Sequence, residues 1–275
     1  MEKRGLLKFQ EPRNGIQYIV NTDIRTELKP LVFFDAGKFT RSDDGFTIGY
    51  HPHSGIGIIT YFHGTDLHHK DSADHPGVIH DGGMQWIRAG KGVWHEEGYH
   101  RKHNAQTTGE WTGSIHQLWI QLPPELEESE VVYENLPSDE IAVHDHVKVL
   151  AGTYQGVKGK IDLPIEMTYL DVSLKAGETW KFETPKGQTT GFVFTRDGAI
   201  KLNEELIENN KMAILEHKEG VLQVEAHNEN SNFIVVLAKP ESYPSVTHGG
   251  QIHTNEESLL RSLEHIKKIG GDLKS

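Results

Sequence analysis

Short apolar runs alternate with turn residues along almost the whole chain. The runs are roughly four to eight residues long and rich in β-branched and aromatic residues, and Gly, Pro, Asn or Asp follows most of them, which is typical of β-strands. Examples are GIQYIV, PLVFFDAG, IGIITYFHG, MQWIRAG, SIHQLWIQL, MTYLDVSL and NFIVVLAKP. Many short strands at this spacing predict an all-β protein built from sandwiches or barrels.

The clearest predicted helix lies near the C-terminal end, in TNEESLLRSLEHIKKIGG. Thr254 and Glu257 fit a capping box at its start, and Gly270 and Gly271 are predicted to end it. Apolar residues at helical spacing form one stripe, namely Leu259, Leu260, Leu263, Ile266 and Ile269. We expect this short helix to dock on a sheet.

An acidic segment, ENLPSDEIAV at residues 134–143, separates two strand-rich halves. Its proline and its charges are typical of a connection between domains. The sequence therefore predicts an N-terminal domain at residues 1–136 and a C-terminal domain at residues 137–275.

A weak internal repeat relates the two halves. The segment MQWIRAGKGVWHEE from Met84 aligns with MAILEHKEGVLQVE from Met212, an offset of 128 residues. Such a repeat predicts two copies of one barrel. The segment HPHS from His51 also aligns with ETPK from Glu183. In these alignments His51, His53 and His95 correspond to Glu183, Pro185 and Gln223. The second copy would then lack the histidines.

Composition narrows the chemistry. The chain has 275 residues, no cysteine, 18 histidines and a formal net charge of −12. Without thiolates, a metal site must use His, Asp or Glu, and the acidic balance argues against direct nucleic-acid binding while permitting a basic protein partner. No apolar run has the length of a membrane helix or a signal peptide. We therefore expect no membrane association and a cytoplasmic protein, or a nuclear one in a eukaryote.

Two pairs of residues have the spacing of metal ligands. His51 and His53 in GYHPHSG are two apart, and so are His95 and Glu97 in VWHEE. Residues i and i+2 of a strand lie on the same face, so pairing of the two strands would bring all four side chains together. Three imidazoles and one carboxylate suit Fe(II), Mn(II), Ni(II), Cu(II) or Zn(II).

The remaining histidines have less specific patterns. By strand parity His63 is predicted to face the same pocket, and either His116 or Gln117 is expected to hydrogen-bond a ligand from a later strand. The polar stretch HGTDLHHKDSADH predicts a loop with surface histidines, which bind metal adventitiously if at all. This stretch and the segment after it contain His68, His69, His75 and His80.

At these residues the sequence resembles the pirin family of the cupin superfamily. The resemblance rests on FFDAGKF, GYHPHSG, GVIHDGGMQWIRAGKGVWHEE, HQLWIQLP and PESYPSVTHGGQIHTNEESL. It implies a bicupin, with two jelly-roll β-barrels packed face to face and a metal only in the N-terminal barrel. In pirins the corresponding residues, here His51, His53, His95 and Glu97, bind the metal, which is usually iron. Many cupins carry a glutamate where this chain has Gly57, so the resemblance assigns the carboxylate ligand to Glu97.

The resemblance implies two functions. One is a quercetin 2,3-dioxygenase-type oxidoreductase that cleaves a flavonol, with Glu97 as the catalytic base for the flavonol hydroxyl and the metal binding substrate and dioxygen. The other is a redox-sensing regulator that binds a protein partner without turnover. A third interpretation is a housekeeping fold that binds metal adventitiously.

Overall fold

The computed structural model describes residues 1–19, 22–105 and 108–272, and these are mostly strand. The strands are β1 (Leu6–Gln10), β2 (Gln17–Ile19), β3 (Leu31–Arg41), β4 (Gly45–His53), β5 (Ile56–His63), β6 (Asp66–Asp71), β7 (Gly77–Ile79), β8 (Met84–Arg88), β9 (Val93–His100), β10 (Trp111–Gln121), β11 (Val132–Leu136), β12 (Ala142–His144), β13 (Val147–Ala151), β14 (Thr153–Tyr154), β15 (Val157–Lys158), β16 (Met167–Leu174), β17 (Thr179–Glu183), β18 (Thr190–Asp197), β19 (Ile200–Leu202), β20 (Glu205–Ile207), β21 (Lys211–Leu215), β22 (Val221–Ala226), β23 (Ser231–Ala238), β24 (Val246–His248) and β25 (Gln251–His253). The helices are α1 (Thr22–Leu28) and α2 (Glu256–Asp272), with a 3₁₀ turn at Ser138–Glu140.

The chain divides into two compact units. One, the histidine unit, comprises Phe33–Glu140 and the segment from Ser242 onward; the other, the companion unit, comprises Met1–Val32 and Ile141–Glu241. The expected boundary after residue 136 lies four residues before the observed one, after Glu140. The two ends of the chain differ from the expected domains 1–136 and 137–275: the N-terminal segment belongs to the companion unit, and the segment from Ser242 onward belongs to the histidine unit. Local composition does not reveal this exchange, because it depends on long-range strand pairing.

Arg4 shows why the N-terminal segment belongs to the companion unit. Its side chain is fully buried and donates hydrogen bonds to the backbone carbonyls of Gln188, Thr189 and Glu216. Strand β1 then pairs antiparallel with β21, with Phe9 opposite Ala213. A buried guanidinium requires such partners.

Both units contain sheets with the same order of strands. In the histidine unit one sheet includes β11-β8-β5-β10-β3 and the other is β4-β9-β6-β7. The companion unit has β1-β21-β18-β23-β16-β13-β12 and β17-β22-β19-β20. The strands β8, β5, β10 and β3 thus correspond to β21, β18, β23 and β16, and β4-β9-β6-β7 corresponds to β17-β22-β19-β20. This shared topology is that of an all-β bicupin.

The interior of the companion unit is apolar where the histidine unit is polar. Side chains alternate in and out along β17, so that Trp180 and Phe182 are buried while Glu183 is exposed. On β22, Val224 is buried opposite Trp180, and Gln223 is only half-buried. The sequence alignment that placed Glu183, Pro185 and Gln223 at the histidine positions is therefore wrong in register, since a slip of one residue exchanges the two faces of a strand. Trp180, Phe182 and Val224 fill the interior instead.

Helix α2 differs from its predicted form at both ends. Asn255, rather than Thr254, caps it, because Asn255 Oδ1 accepts the Ser258 amide at 2.9 Å. Thr254 bonds the buried Glu127 carboxylate through both its amide and its hydroxyl. The helix continues through Gly270, where an added Cβ would lie 2.8 Å from the Trp94 ring, so this glycine permits close packing rather than ending the helix.

The predicted apolar stripe of α2 is partly correct. Leu259 and Ile266 are buried, but Leu260 is 60% exposed. Trp94 fixes the helix against β9 by donating from Nε1 to the Ile266 carbonyl at 2.8 Å. Among the described residues, no helix is long and apolar enough to span a membrane.

Candidate metal centre

Three histidines of β4 and β9 converge in the histidine unit. His51 lies directly opposite His95 in the antiparallel ladder, and a register shift between Ile48 and His51 sets this pairing. His53 follows on the same face of β4. Each of the three offers a ring nitrogen, and these atoms all lie within 4.8 Å of one another. The structure thus brings together three of the four predicted ligands.

Backbone carbonyls orient two of these rings. The Nδ1–H of His51 donates to Gly49 O at 2.9 Å, and that of His53 donates to Gly250 O at 3.0 Å. Donation from Nδ1 leaves Nε2 with its lone pair, which is the form that binds a metal. The hairpin of β24 and β25 supplies Gly250, so the C-terminal segment helps to build the site.

The ring nitrogens that remain are buried without partners. His53 Nε2 and both ring nitrogens of His95 have no hydrogen-bond partner within the part of the chain that the structure describes. Leaving a buried polar atom unpaired costs about 1–3 kcal/mol. A bound ion would satisfy His53 Nε2 and one of the two His95 nitrogens, because each imidazole offers one ligand atom, so these residues fit a metal.

Burial also keeps the imidazoles neutral. Desolvation lowers the pKa of His53 to about 3, with a further contribution from the His51 charge and opposition from the Gly250 hydrogen bond. Burial likewise lowers the pKa of His95 well below its usual value, helped by the neighbouring His53, His51 and His69. The pKa of His51 is lowered by burial as well. Neutral imidazole is the required ligand form, so no proton must be removed near pH 7.

Glu97 lies on the same face of β9 as His95 but is not part of the three-histidine group. Its carboxylate is 1% exposed and accepts hydrogen bonds from Gln117 Nε2 at 3.2 and 3.3 Å. Burial raises the pKa of Glu97 to about 7, against hydrogen bonds from Gln117, Thr60 and Tyr99.

A second carboxyl group, Asp35 of β3, interacts with Glu97. Burial, together with the charge of Glu97, raises the pKa of Asp35 to about 7, and a hydrogen bond from the Gln117 backbone opposes this shift. The sequence analysis missed this residue. The sequence does contain a sign of its role, because Asp35 interrupts the apolar run LVFFDAG. Carboxylates are rarely buried unless they have a partner, so one in a buried strand indicates a functional or paired group.

Gln117 and Trp119 hold the Glu97 carboxylate in place. Trp119 donates from Nε1 to Gln117 Oε1 at 2.9 Å, which orients the Gln117 amide group toward Glu97. The Trp119 ring also packs edge-on against His53, with centroids 4.7 Å apart, and stacks on Phe33. Of the two residues expected to assist the site, Gln117 is therefore the one that does so.

His116 and His63 face the other way. His116 pairs with Tyr61 across β10 and β5, while Gln117 pairs with Thr60, so the Gln117 and His116 side chains lie on opposite faces. His63 shares the face of Tyr61, with ring centroids 4.6 Å apart. The prediction that His63 lines the pocket by parity is wrong, because Thr60, not His63, interacts with Glu97.

The predicted histidine loop is strand β6 instead. His69 pairs with Glu97 across β6 and β9, is 1% exposed and has its ring centroid 5.6 Å from that of His95. It is held by Asp71, 3.2 Å from its Nε2. From His68 onward exposed and buried side chains alternate as in a strand, but Leu67 is the one apolar residue of DLHHKD, so no apolar pattern in the sequence marked this strand.

Gly57 does not leave a gap in the site. A Cβ at this position would lie 2.1 Å from Trp86 Cη2 and 3.0 Å from Ile120 Cγ1. Gly57 is an odd-numbered residue of β5, so it lies on the face opposite Thr60. The space of the glutamate that many cupins carry is thus filled by the Trp86 ring.

The paired sheets define the chain as a bicupin, and the group of inward-facing histidines gives it a candidate metal centre. Comparison with known families agrees: residues 13–120 match the family model Pirin, and residues 169–268 match the Pirin C-terminal cupin domain. The chain is also 30% identical to Pirin of Rattus norvegicus over 240 residues, which cover 84% of this chain and 78% of that protein. The chain belongs to the pirin family.

Solved structures share this fold. A quercetin 2,3-dioxygenase from Acinetobacter baumannii superimposes with a TM-score of 0.84 at 24% identity, covering 97% of each chain. The bacterial pirin YhhW of Escherichia coli, solved in complex with nickel(II), has a TM-score of 0.63 at 16% identity, covering 86% of this chain and 98% of that one.

Proposed function

We propose that this protein is a metal-dependent dioxygenase that cleaves a flavonol or a related hydroxylated aromatic compound. His51, His53 and His95 hold the ion, Glu97 completes the ligand set, and Fe(II) is the proposed metal. The observation that carries the proposal is the group of three neutral imidazoles, two of them oriented by backbone carbonyls, with unpaired nitrogens in a buried position.

The donor set permits several metals. Three imidazoles with a carboxylate suit Fe(II), Ni(II), Cu(II), Mn(II) and Zn(II), and a related bicupin was solved with nickel. When bound, the ion would act as a Lewis acid toward the substrate oxygen and support the reaction with dioxygen.

The protein's own groups manage the proton. A flavonol must lose its hydroxyl proton to react, and Glu97, a buried carboxylate on the same face of β9 as His95, is the group proposed to accept it. The Gln117 amide group fixes the carboxylate oxygen that takes the proton. Asp35 offers a second position for that proton beside Glu97.

The solvent side of the site suits an aromatic substrate. His51 is half-buried, whereas His53 and His95 are buried, so a substrate reaches the site from the His51 side. Ile48 and Tyr50, on the same strand, are 44% and 41% exposed. An apolar surface of this kind favours contact with an aromatic ring. A structural neighbour's name, quercetin 2,3-dioxygenase, supports the choice of a flavonol.

The test is aerobic incubation of the Fe(II)-loaded protein with quercetin, following flavonol absorbance and dioxygen together. We expect equal consumption of flavonol and dioxygen by the wild type. The Glu97→Gln variant, which keeps the histidines and is assayed with enough Fe(II) to load it fully, should lose most of the rate, typically 10²–10⁴-fold for a general base. Absence of turnover with Fe, Ni, Cu and Mn, each shown to be bound, would overturn the proposed activity.

A further inference from the structure

A second cluster of metal-binding side chains lies in the histidine unit, away from the site described above. Asp66 at the start of β6 is 2% exposed. Its Oδ2 accepts a hydrogen bond from His80 Nδ1 at 3.0 Å and one from His103 Nδ1 at 3.1 Å. One ligand atom from each of the three residues lies within 4.8 Å of the other two.

These separations match those of ligands around one ion. Two donor atoms bound at about 2.1 Å in tetrahedral geometry lie about 3.4 Å from each other, close to the 3.0 and 3.1 Å from Asp66 Oδ2 to the two imidazoles. The rings of His80 and His103 are also adjacent, with centroids 3.9 Å apart. Small rotations of two exposed imidazoles would therefore replace two hydrogen bonds to Asp66 with coordination to an ion that all three residues share.

The carboxylate is fixed by the backbone. Asp66 Oδ1 accepts the Asp81 amide at 3.0 Å, and Oδ2 accepts the His103 amide at 2.9 Å. Such bonds hold a ligand in place before an ion arrives. Lys102, the residue before His103, donates to Asp81 instead, with Nζ 3.1 Å from Oδ2, so it does not neutralise Asp66.

The cluster is open to solvent and lies far from the first site. The His80 and His103 side chains are 56% and 57% exposed, and they line a surface depression of about 430 Å³ together with His68 and His100. In the β6–β9 ladder Asp66 pairs with His100, whereas Asp71 pairs with His95. Five residues of strand rise separate the two ends, which is about 16 Å.

We propose that Asp66, His80 and His103 form a second metal site that binds a divalent transition-metal ion of the Zn²⁺, Ni²⁺ or Cu²⁺ class. Two imidazoles and one carboxylate favour these ions over Mg²⁺ or Ca²⁺, which prefer oxygen ligands. The ion would connect β6 with the segments that carry His80 and His103, and its remaining coordination positions would face solvent.

The test is equilibrium dialysis of the metal-free protein against Zn²⁺, with bound zinc measured by elemental analysis. We expect two zinc ions per wild-type chain, one for His80→Asn/His103→Asn, and one for His51→Ala/His95→Ala, whose loss concerns the other site. His217→Asn/His227→Asn is the matched control: it also removes two histidines, and neither of them belongs to a metal-ligand group among the described residues. We expect it to keep both ions.

Two results would overturn this site. One is the absence of bound zinc in His51→Ala/His95→Ala, which keeps only the proposed second site, and the other is an unchanged stoichiometry in His80→Asn/His103→Asn. Because both histidines are more than half exposed, unfolding of that variant is not expected, and its circular dichroism and thermal midpoint without zinc verify this. A thermal midpoint that rises with zinc in His51→Ala/His95→Ala, but no longer rises when His80 and His103 are removed as well, would support the site independently of stoichiometry.

Discussion

Replacement of Glu97 by Gln should reduce the loss of folding stability that the metal-free protein undergoes as the pH rises. Glu97 is buried, and its pKa rises from 4.5 in the unfolded chain to about 7 in the folded one. A raised pKa means that the folded state holds the proton more tightly than the unfolded state. The carboxyl group therefore causes no loss of stability below pH 4.5, and stability falls as the pH rises toward 7.

The magnitude follows from the shift. About 2.5 pKa units at about 1.36 kcal/mol each amount to about 3 kcal/mol, fully developed above pH 7. Asp35 contributes to the same pH dependence, because the charge of Glu97 is one cause of its raised pKa. Removing that charge therefore also lowers the cost of ionising Asp35 in the folded protein. The histidines of the site titrate in both proteins, so their contribution cancels in the difference between variant and wild type.

The assay is urea unfolding in the presence of a chelator at pH 5 and pH 8. We expect the free energy of unfolding of Glu97→Gln, minus that of the wild type, to increase by about 3 kcal/mol between these pH values. Glu96→Gln is the matched control, because Glu96 is the neighbouring half-buried residue on the other face of β9, and its difference should stay constant. If the difference for Glu97→Gln is also constant, the buried carboxylate is not destabilising and the reasoning fails.

Three further changes test other parts of the structure. His95→Ala should lower bound iron to background without unfolding the protein, which elemental analysis and circular dichroism would show; retained iron would contradict the assignment of His95. Gly57→Ala places a methyl group 2.1 Å from Trp86 Cη2, and such overpacking should destabilise the protein by about 1–3 kcal/mol in urea unfolding; an unchanged midpoint would show that the space is open. Arg4→Ala removes three hydrogen bonds to backbone carbonyls and should cost about 3 kcal/mol, whereas no loss of stability would mean that the N-terminal segment does not anchor the companion unit.

The sequence was sufficient to predict the fold class and the convergence of His51, His53 and His95, whose role as metal ligands stays a prediction. Alternation of apolar and polar residues predicts strands directly, and His51, His53 and His95 have a spacing that only strand pairing on one face would use. The metal-ligand role of Glu97 stays a prediction, because the carboxylate lies outside the three-histidine group and an ion would have to attract it away from Gln117.

Features that depend on register could not be predicted. The repeat alignment placed Gln223 at the position of His95, although Val224 is the residue that points inward, because a weak sequence match does not fix register to within one residue. His63 was misplaced for a related reason: parity counted from His53 passes through Ser54 and Gly55 between β4 and β5, where the alternation is interrupted.

Partners that are distant in sequence also escaped prediction. Gly250 orients His53 from 197 residues away, and Asp35 reaches Glu97 from another sheet. Neither contact leaves a local pattern beyond a charged residue in an apolar strand. The exchange of the terminal segments between the units has the same origin.

Crystals of the metal-loaded protein, measured at the absorption edge of the bound metal, would test directly whether His51, His53 and His95 bind the ion. We expect an anomalous difference peak about 2.1 Å from one ring nitrogen each of His51, His53 and His95. An anomalous peak elsewhere in the protein, with none among those three rings, would show that these histidines do not hold the ion.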